Sequence, residues 1–518
     1  VSDATVCLLI LAAVIGLFLW NRLPVEVVAL GSALALYLTG VLPVAAVFAG
    51  FGDPVVGFIA GLFVVSEALG ASGVTAWVGQ RLIRVAGTEP RRLLVATMLL
   101  GALLSALISV NGATAALLPM VVLLAVRLGF SPSGLAMPLA FAGHAGSLLV
   151  LTATPINLLI SQAADQAGGR PFGFFEYSLV GVPLLAGTVA LMAGLRHRLL
   201  PRRTPRSLPP DLSGYARTLD AHYELGARVL SREVGAAEVV LTPRSALIGD
   251  TVWPGMTTDS GELVVLAAHR MGQHLGPAPV TLVAGDTLLV QGSWDALDRH
   301  ARSTGDVLVV DAPAELRRQA VPLGPGSTAA IVIVVGMIVL LATGLVPPAI
   351  AALAAAMAMV VCRVLTMQQA YGGISFTTIV IVAGMFPLSA AMQESGAANR
   401  VADIVVGAFG ANGHLLLLGL FLLTATLGQM ISNTATALIV IPIAVKAAAD
   451  VGVSVQPVLM CVGIASAASF LTPIATAANL MVKDPGGYRF GDYWRPGLPV
   501  LGWFGMVAVL LVPMIWRF

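Results

Sequence analysis

Charge is scarce: Asp, Glu, Lys and Arg make up only 10% of the 518 residues, against about a quarter in an ordinary soluble domain. With 58% hydrophobic residues and a mean hydropathy of +0.92, this scarcity excludes a soluble globular protein and implies a chain that crosses a membrane many times. The net charge is +2, and the arginines sit in short stretches between apolar spans rather than along one face, which excludes a nucleic-acid-binding surface. Only three cysteines occur, Cys7, Cys362 and Cys461, all in apolar segments without metal-ligand spacing, so they read as small core residues. Residues 5 to 20 lack a basic stretch ahead of them and run on into a second span, so no cleavable leader is expected. No His-Glu-x-x-His or Ser/His set lies in the spans, which excludes an intramembrane enzyme. No Thr-Val-Gly-Tyr-Gly loop is present, which excludes a channel with a carbonyl filter of that kind.

What the chain has instead is apolar runs near the roughly 20 residues that span a bilayer. Ten crossings are predicted, at 5–20, 24–41, 55–78, 134–164, 177–195, 326–344, 347–366, 374–393, 455–482 and 496–516. Each half also holds a pair of short limbs, 93–109 with 112–126 and 414–431 with 435–449, which read either as a re-entrant hairpin or as two ordinary spans. Three regions follow: a first transmembrane repeat (1–195), a charged insert (196–323) and a second transmembrane repeat (324–518).

The halves are copies. A shift of 323 positions lays GLFVVSEALGASG (61–73) on GMFPLSAAMQESG (384–396), Pro24 on Pro347, Gly87 on Gly410, Ser109 on Ser432 and Pro119 on Pro442; a shift of 322 lays Thr154 and Asn157 on Thr476 and Asn479. Arg81, Arg84, Arg91, Arg92, Arg127, Arg196, Arg198, Arg202, Arg203 and Arg206 are expected on the cytoplasmic side. Arg92 and Arg127 then share a side, as a hairpin requires. Five crossings per half turn the second copy over, giving an α-helical polytopic membrane protein of two inverted repeats. A multi-pass protein of the inner (plasma) membrane is expected, its insert cytoplasmic and both termini outside.

Polar residues interrupt this lipid-like chain in four places. The hairpin tips carry Ser109-Val110-Asn111 and Ser432-Asn433-Thr434, and the fourth and ninth crossings break at Thr152-Ala153-Thr154-Pro155-Ile156-Asn157 and at Thr472 to Asn479. Non-helical backbone at membrane depth persists only where protein or a wet cavity satisfies it. Half-helix N-termini attract an anion, and the carbonyls left at helix C-termini suit a hard monovalent cation. Without a buried Lys or Arg, an anion would be held by dipoles and still be able to leave. Two ionisable residues, Glu67 and His144, fall within spans and have no counterpart in the second half, where Ala390 and Ser466 or Ala467 stand. Each reads either as a proton or cation site or as a residue satisfied by nearby backbone or a cytoplasmic vestibule.

Paired Ser-Asn-Thr tips, each followed some 40 residues later by a Thr-x-x-Asn break, resemble the divalent anion:sodium symporter family and its ion-transporter relatives. The resemblance covers nearly all of the chain outside the insert. It implies sodium-coupled transport of sulfate or of a di- or tricarboxylate by an elevator motion, in a homodimer, with sodium as the co-transported ion and no organic cofactor. It implies further that Ser432, Asn433 and Thr434 contact the anion and one sodium, that Thr476 and Asn479 complete that sodium site, and that Thr154 and Asn157 complete the other. Ser109 and Asn111 are carried over as the matching tip, which departs from the pattern: Val110 replaces the central asparagine and Asn111 the threonine. Ala153 and Ala475 stand where the family usually has glycine. A proton-coupled or exchange carrier on the same scaffold, using Glu67 or His144, stays open.

Within the insert, residues 237–302 show alternating Val and Leu with Gly-Asp punctuation, the pattern of a small α/β domain. They read as strand, short helix, strand, strand and helix. This resembles the RCK_C (TrkA-C) domain, which implies either a site for a small regulatory ligand or a structural clamp between protomers. A channel gated by such a domain is the remaining competitor, and it lacks a filter.

Overall fold

The computed structural model describes residues 2–20, 22–75, 77–78, 81, 89–201, 203, 234–243, 245, 247–258, 261–270, 273–276, 278–303, 307–309, 326–409 and 412–518. Arg84, Gly87, Arg202, Arg206 and Gly410 lie outside them. The first half folds as α1 (Asp3–Trp20), α2 (Val25–Leu38), α3 (Val44–Ala49), α4 (Pro54–Ala71), α5 (Pro90–Leu107), α6 (Val110–Arg127), α7 (Ala136–Gly146), α8 (Pro155–Gln166) and α9 (Ser178–Leu199). After the insert, with its helix α10 (Trp294–Ser303), come α11 (Ser327–Thr343), α12 (Pro348–Val361), α13 (Met367–Gly373), α14 (Phe376–Glu394), α15 (Ala397–Phe409), α16 (Gly413–Gly428), α17 (Asn433–Val451), α18 (Val455–Ala467), α19 (Ala477–Lys483) and α20 (Trp494–Met506). The last of these runs on through a π-turn to Ile515.

Among the described residues, six helical stretches are long and apolar enough to cross a membrane: Val44–Ala71, Pro90–Leu107, Ser178–Arg196, Phe376–Glu394, Asn433–Val451 and Trp494–Ile515. The pair α15 and α16, bent by 118°, would make a seventh, and shorter apolar helices include α2, α11, α12 and α18. Their outer faces carry bare apolar side chains such as Leu38 (80% exposed), Val361 (77%) and Met514 (77%), which hydrocarbon would cover.

The element order recurs. Pro24 and Pro347 hold the same extended backbone ahead of α2 and α12, where a ring-fixed φ pre-sets the turn into a helix. The fourth and ninth predicted crossings are split as expected: α7 and α8 flank a non-α-helical stretch at 147–154, and α18 and α19 flank one at 468–476. Sequence reasoning missed α3 and α13, short helices ahead of α4 and α14. It missed α15 as well, whose Ala398, Ala402 and Val405 are buried while Arg400 is exposed. The third crossing stops at Ala71 rather than at 78, because Gly73 adopts φ +76, a left-handed value that ends a helix.

Contacts at the helix ends fix relative directions. Arg203, just beyond α9, donates to the Asp492 carboxylate ahead of α20 at 3.2 and 3.0 Å. At the other ends, Trp516 donates its indole N–H to Glu176 at 2.6 Å, so α9 and α20 run antiparallel. Tyr488 ties the same layer as Asp492 to Met137 at the start of α7, accepting its N–H at 2.9 Å. Gln456, at the start of α18, donates instead to the Arg170 carbonyl at 3.2 Å, in the layer of Glu176, which Arg170 clamps at 2.8 and 2.6 Å. The matching helices α7 and α18 therefore begin in opposite layers.

The chain divides into two compact units, and most of the described insert belongs to the second. Its five-stranded sheet has the order β4-β3-β6-β1-β7, with β1 (Val234–Leu241), β3 (Leu263–Arg270), β4 (Gln273–His274), β6 (Thr287–Ser293) and β7 (Val307–Val309); β2 (Thr251–Val252) and β5 (Val280–Thr281) form a separate pair. β1 lies antiparallel to β6, with Ala237 opposite Val290. Ala237, Leu282, Leu289, Trp294 and Leu297 build a core of its own. Where a short helix was expected after β1, residues 247–249 form a turn, and Gly249 at φ +98 explains why a helix does not continue there. The second Gly-Asp step works alike: Gly285 takes φ +84, and buried Asp286 accepts from Arg270 Nε at 2.7 Å, from an Arg270 terminal nitrogen at 2.8 Å and from the Val283 amide at 2.9 Å.

Two outcomes follow. The Arg270 guanidinium, with the Val283 amide, holds the Asp286 carboxyl below its ordinary value. Its contribution is therefore complete above the unfolded-state pKa of about 3.9 and is lost as pH falls through the lower folded value. Protection of the β3 and β6 amides of the whole chain, taken as exchange relative to the intrinsic rate at each pH, should fall in acid, and Asp286→Asn should show lower protection at neutral pH with that acid dependence flattened. In the membrane unit, a Cβ on Gly146 would lie 2.4–2.8 Å from the Ala102 backbone of α5. Gly146→Val should lower the melting temperature in detergent, an overpacking cost of roughly 1–3 kcal/mol, whereas Gly336→Ala, with nothing within 4 Å, should not.

Candidate functional site

The two broken spans are built on the same frame. Pro155 opens α8 after Thr154, whose backbone is extended at φ −150 and ψ 147; Thr476 ahead of α19 is alike at φ −144 and ψ 154. Each break is closed by one asparagine. Asn157 Nδ2 donates to the carbonyls of Ser147 (2.8 Å) and Val150 (3.0 Å). Asn479 Nδ2 donates to those of Ser469 (2.7 Å) and Thr472 (3.2 Å). A tyrosine hydroxyl then satisfies the backbone carbonyl of each asparagine, Tyr177 on Asn157 and Tyr493 on Asn479, both at 2.6 Å. Both asparagines are wholly buried, so these bonds replace the water that an unwound backbone would otherwise require.

The hairpin tips also match at their caps. Ser109 Oγ accepts from the Gly112 amide at 3.1 Å, and Ser432 Oγ accepts from Ala435 at 3.4 Å. Each is the N-cap position that satisfies one of the free first-turn amides. Asn433 and Thr434 lie in the first turn of the 19-residue helix α17 and are half-buried. The tips differ in what the centre holds. Asn433 Oδ1 stands 2.7 Å from Ser469 Oγ, the serine whose carbonyl the Asn479 frame uses. At the first tip Val110 has no amide to offer, and the matching serine, Ser147, turns back to the His144 carbonyl at 2.7 Å. Asn111 is exposed, and its Oδ1 reaches across to α19, accepting the Ala478 amide at 3.1 Å.

His144 completes the junction. Its Nε2 lies 3.3 Å from Asn479 Oδ1 and 3.2 Å from Thr476 Oγ1, while Thr476 Oγ1 also accepts the Asn479 amide at 3.2 Å. Asn111, His144, Asn433, Thr476 and Asn479 are thus joined through Ser469 and Ala478 into one cluster. Asn157 and Thr154 form the equivalent frame without a ring on it, and Asn157 Oδ1 is buried with no hydrogen-bond partner among the described residues. Glu67 is not drawn in by these bonds; its stem packs where a Cβ on Gly373 would fall, 2.6 Å from the Glu67 Cβ.

Sequence reasoning missed Ser469, Tyr177, Tyr493 and Gln429. Gln429 accepts from the Leu471 amide and donates to the Ala468 carbonyl, both at 2.8 Å, latching the second tip to the second break. It sits three residues before Ser432 in an otherwise apolar limb, and a buried amide so close to a tip was the available signal.

The cluster offers neutral oxygens and free helix N-termini. No group of three His, Cys, Asp or Glu side chains able to hold a metal ion occurs among the described residues. An unsatisfied buried acceptor such as Asn157 Oδ1 costs about 1–3 kcal/mol, which a hard cation with oxygen ligands would relieve. The first turns of α6 and α17 present partial positive charge toward their tips, favourable for an anion.

The profile of the citrate transporter family, CitMHS, matches residues 15–350 and 338–518. The uncharacterized transporter YfbS of Escherichia coli is 31% identical over 98% of this chain and 98% of its own length. The uncharacterized transporter sll0640 of Synechocystis is 26% identical over 99% of this chain and 97% of its own. Sodium/sulfate cotransporter 2 of Chlamydomonas reinhardtii is 25% identical over 55% of this chain and 32% of its own. Among solved structures, the YdaH transporter of Alcanivorax borkumensis matches with a TM-score of 0.48 at 15% identity, covering 93% of this chain and 89% of that one. The family match and the sequence relatives point to a transporter and away from an enzyme, and the chain belongs to the citrate transporter family, among the ion transporters that its tips and breaks resemble.

Proposed function

We propose that this chain is a sodium-coupled carrier of a divalent anion, with sulfate ahead of a dicarboxylate, built as two inverted repeats and working by an elevator motion of the domain that bears the tips and breaks. The observation that carries the reading is the buried Oδ1 of Asn157, which has no hydrogen-bond partner among the described residues although the side-chain nitrogen and backbone carbonyl of the same residue are satisfied: a buried acceptor without a partner is a candidate cation ligand. The recurring element order, and the opposite layers in which α7 and α18 begin, support inversion. Relatives named as sodium/sulfate cotransporters support the choice of ion and anion.

In this reading Ser432, Asn433 and Thr434 bind the anion with the first-turn amides of α17, and Ser109 and Asn111 face it from the other tip. Thr154 and Asn157 hold a sodium ion. A site without a fixed positive charge binds the anion well only when the cation is present, which is how a dipole-lined cavity couples the two. The region 196–323 is cytoplasmic, with both termini outside, and the protein is a homodimer in the plasma membrane. The insert takes either a small regulatory ligand or a purely structural part. A proton-coupled or exchange carrier on the same scaffold is the competing reading, favoured by the place of His144 inside the cluster.

Uptake of labelled sulfate and labelled succinate into proteoliposomes, under an inward sodium gradient, with potassium replacing sodium, and under an inward proton gradient, tests the assignment. Sodium-driven uptake of one of the two anions is expected. Asn433→Ala should reduce it about tenfold or more, from ~1.5–3 kcal/mol for a hydrogen bond to a charged group. Uptake driven by protons alone would replace sodium in the scheme, and uptake of neither anion under any gradient would overturn the substrate class.

A further inference from the structure

The two asparagine frames share two carbonyls on Nδ2 and one tyrosine hydroxyl on the backbone oxygen; they differ in the cap, where Thr476 Oγ1 accepts the Asn479 amide and Thr154 makes no such side-chain bond, and in what faces Oδ1. Asn157 Oδ1 is bare. Asn479 Oδ1 faces the Nε2 of His144 at 3.3 Å. Because Asn479 Nδ2 is committed to the Ser469 and Thr472 carbonyls, its Oδ1 is the group that points at the ring, and an acceptor there requires Nε2 to carry a proton and donate. Thr476 Oγ1, the other oxygen of the same frame, lies 3.2 Å from the same nitrogen. The imidazole edge therefore stands where the two frame oxygens converge. Nothing of the kind stands at the matching place on α18, where Ser466 and Ala467 carry no ring.

We propose that the His144 ring fills the second cation position, its N–H meeting the oxygens that an ion would otherwise meet, so that the carrier couples to a single sodium ion at Thr154 and Asn157 rather than to two. Close burial keeps the ring there. His144 is 2% exposed and packs edge-on against Phe470 with ring centroids 5.7 Å apart, and Phe470 is itself wedged against Phe141 at 4.9 Å. The first tip has Val110 at its centre in place of an amide, while the second keeps Asn433, already engaged by Ser469. At the frames themselves, the second asparagine oxygen is met by the ring and the first has no partner among the described residues.

The inference rests on the sodium-coupled reading above, and the two fail differently. The ratio of labelled sodium to labelled anion taken up by the unaltered chain, together with the Hill coefficient of the sodium dependence, is measured in proteoliposomes, and sodium-dependent thermal stabilisation is measured in detergent without anion. One coupling site predicts a Hill coefficient of about one, two sites a value toward two. The expected result is a value of about one for the unaltered chain, with stabilisation by sodium lost in Asn157→Ala and kept in Asn479→Ala. His144→Ala, which vacates the position, should raise the coefficient toward two, whereas His144→Gln, which retains an N–H donor, should leave it at about one. A coefficient near two in the unaltered chain, falling in Asn479→Ala, would overturn the proposal while sodium coupling stood. No response to sodium in any form of the protein would overturn sodium coupling and this inference together. The flux ratio of the unaltered chain decides the question even if a variant does not fold.

Discussion

A backbone that stops being helical in a place without water must have each of its amides and carbonyls met by protein, and the membrane unit is arranged around that requirement. Asn157 and Asn479 meet it. One carboxamide on each donates to two stranded carbonyls across its break, and a tyrosine satisfies the asparagine's own carbonyl. Because every unpaired polar group at that depth costs several kcal/mol, these bonds are what close the breaks. Pro155 follows from the same logic: a residue with no N–H starts α8 where an N–H would have gone unmet. The site is thus a by-product of closing the chain's own polar ledger, and what the closure leaves open, an oxygen here and a helix N-terminus there, is what remains for solutes.

The two halves solve the problem once and then diverge by single side chains. Val110 in place of an amide frees Ser147 to bond the His144 carbonyl, where its counterpart Ser469 bonds Asn433. Gln429, with Ala106 at the matching place in the first hairpin, fastens the second hairpin to the second break through Ala468 and Leu471. Duplicated transporters need such differences. A symmetric pair of sites would bind two identical solutes, whereas an anion and its coupling cation want oxygens on one side and amides on the other.

Much of this was legible in the chain itself. The near-constant offset, the two polar tips and the two Thr-x-x-Asn breaks located the asparagines and threonine of the cluster, because short polar residues in apolar runs stand out against a membrane background, and His144 stood out as an ionisable residue within a span; Ser469, Gln429 and the two tyrosines were missed. The missed residues act through geometry: Tyr177 and Tyr493 look like interfacial aromatics in the sequence, and only the fold turns their hydroxyls onto asparagine carbonyls. α3, α13 and α15 were missed for a different reason. They are short, and α15 is amphipathic with polar residues such as Asn399 and Asp403 among its alanines, so no apolar run announces it. In the insert, the second Gly-Asp step marked its turn correctly, but the short helix expected with the first is a turn, because Gly249 takes a left-handed φ.

The scarcity of charge with which the sequence begins has its functional counterpart here. A lysine in the cluster would bind an anion in every state, and the carrier would hold its cargo on both sides of the membrane. In the proposed scheme neutral amides, hydroxyls and helix ends bind weakly alone, so the anion's affinity is lent by the cation beside it, and losing either loosens both, since coupling between two ligands is reciprocal. His144 fits that economy. Among neutral oxygens it places a ring nitrogen at a point where those of Asn479 and Thr476 converge, whereas Asn157 Oδ1 has no partner among the described residues.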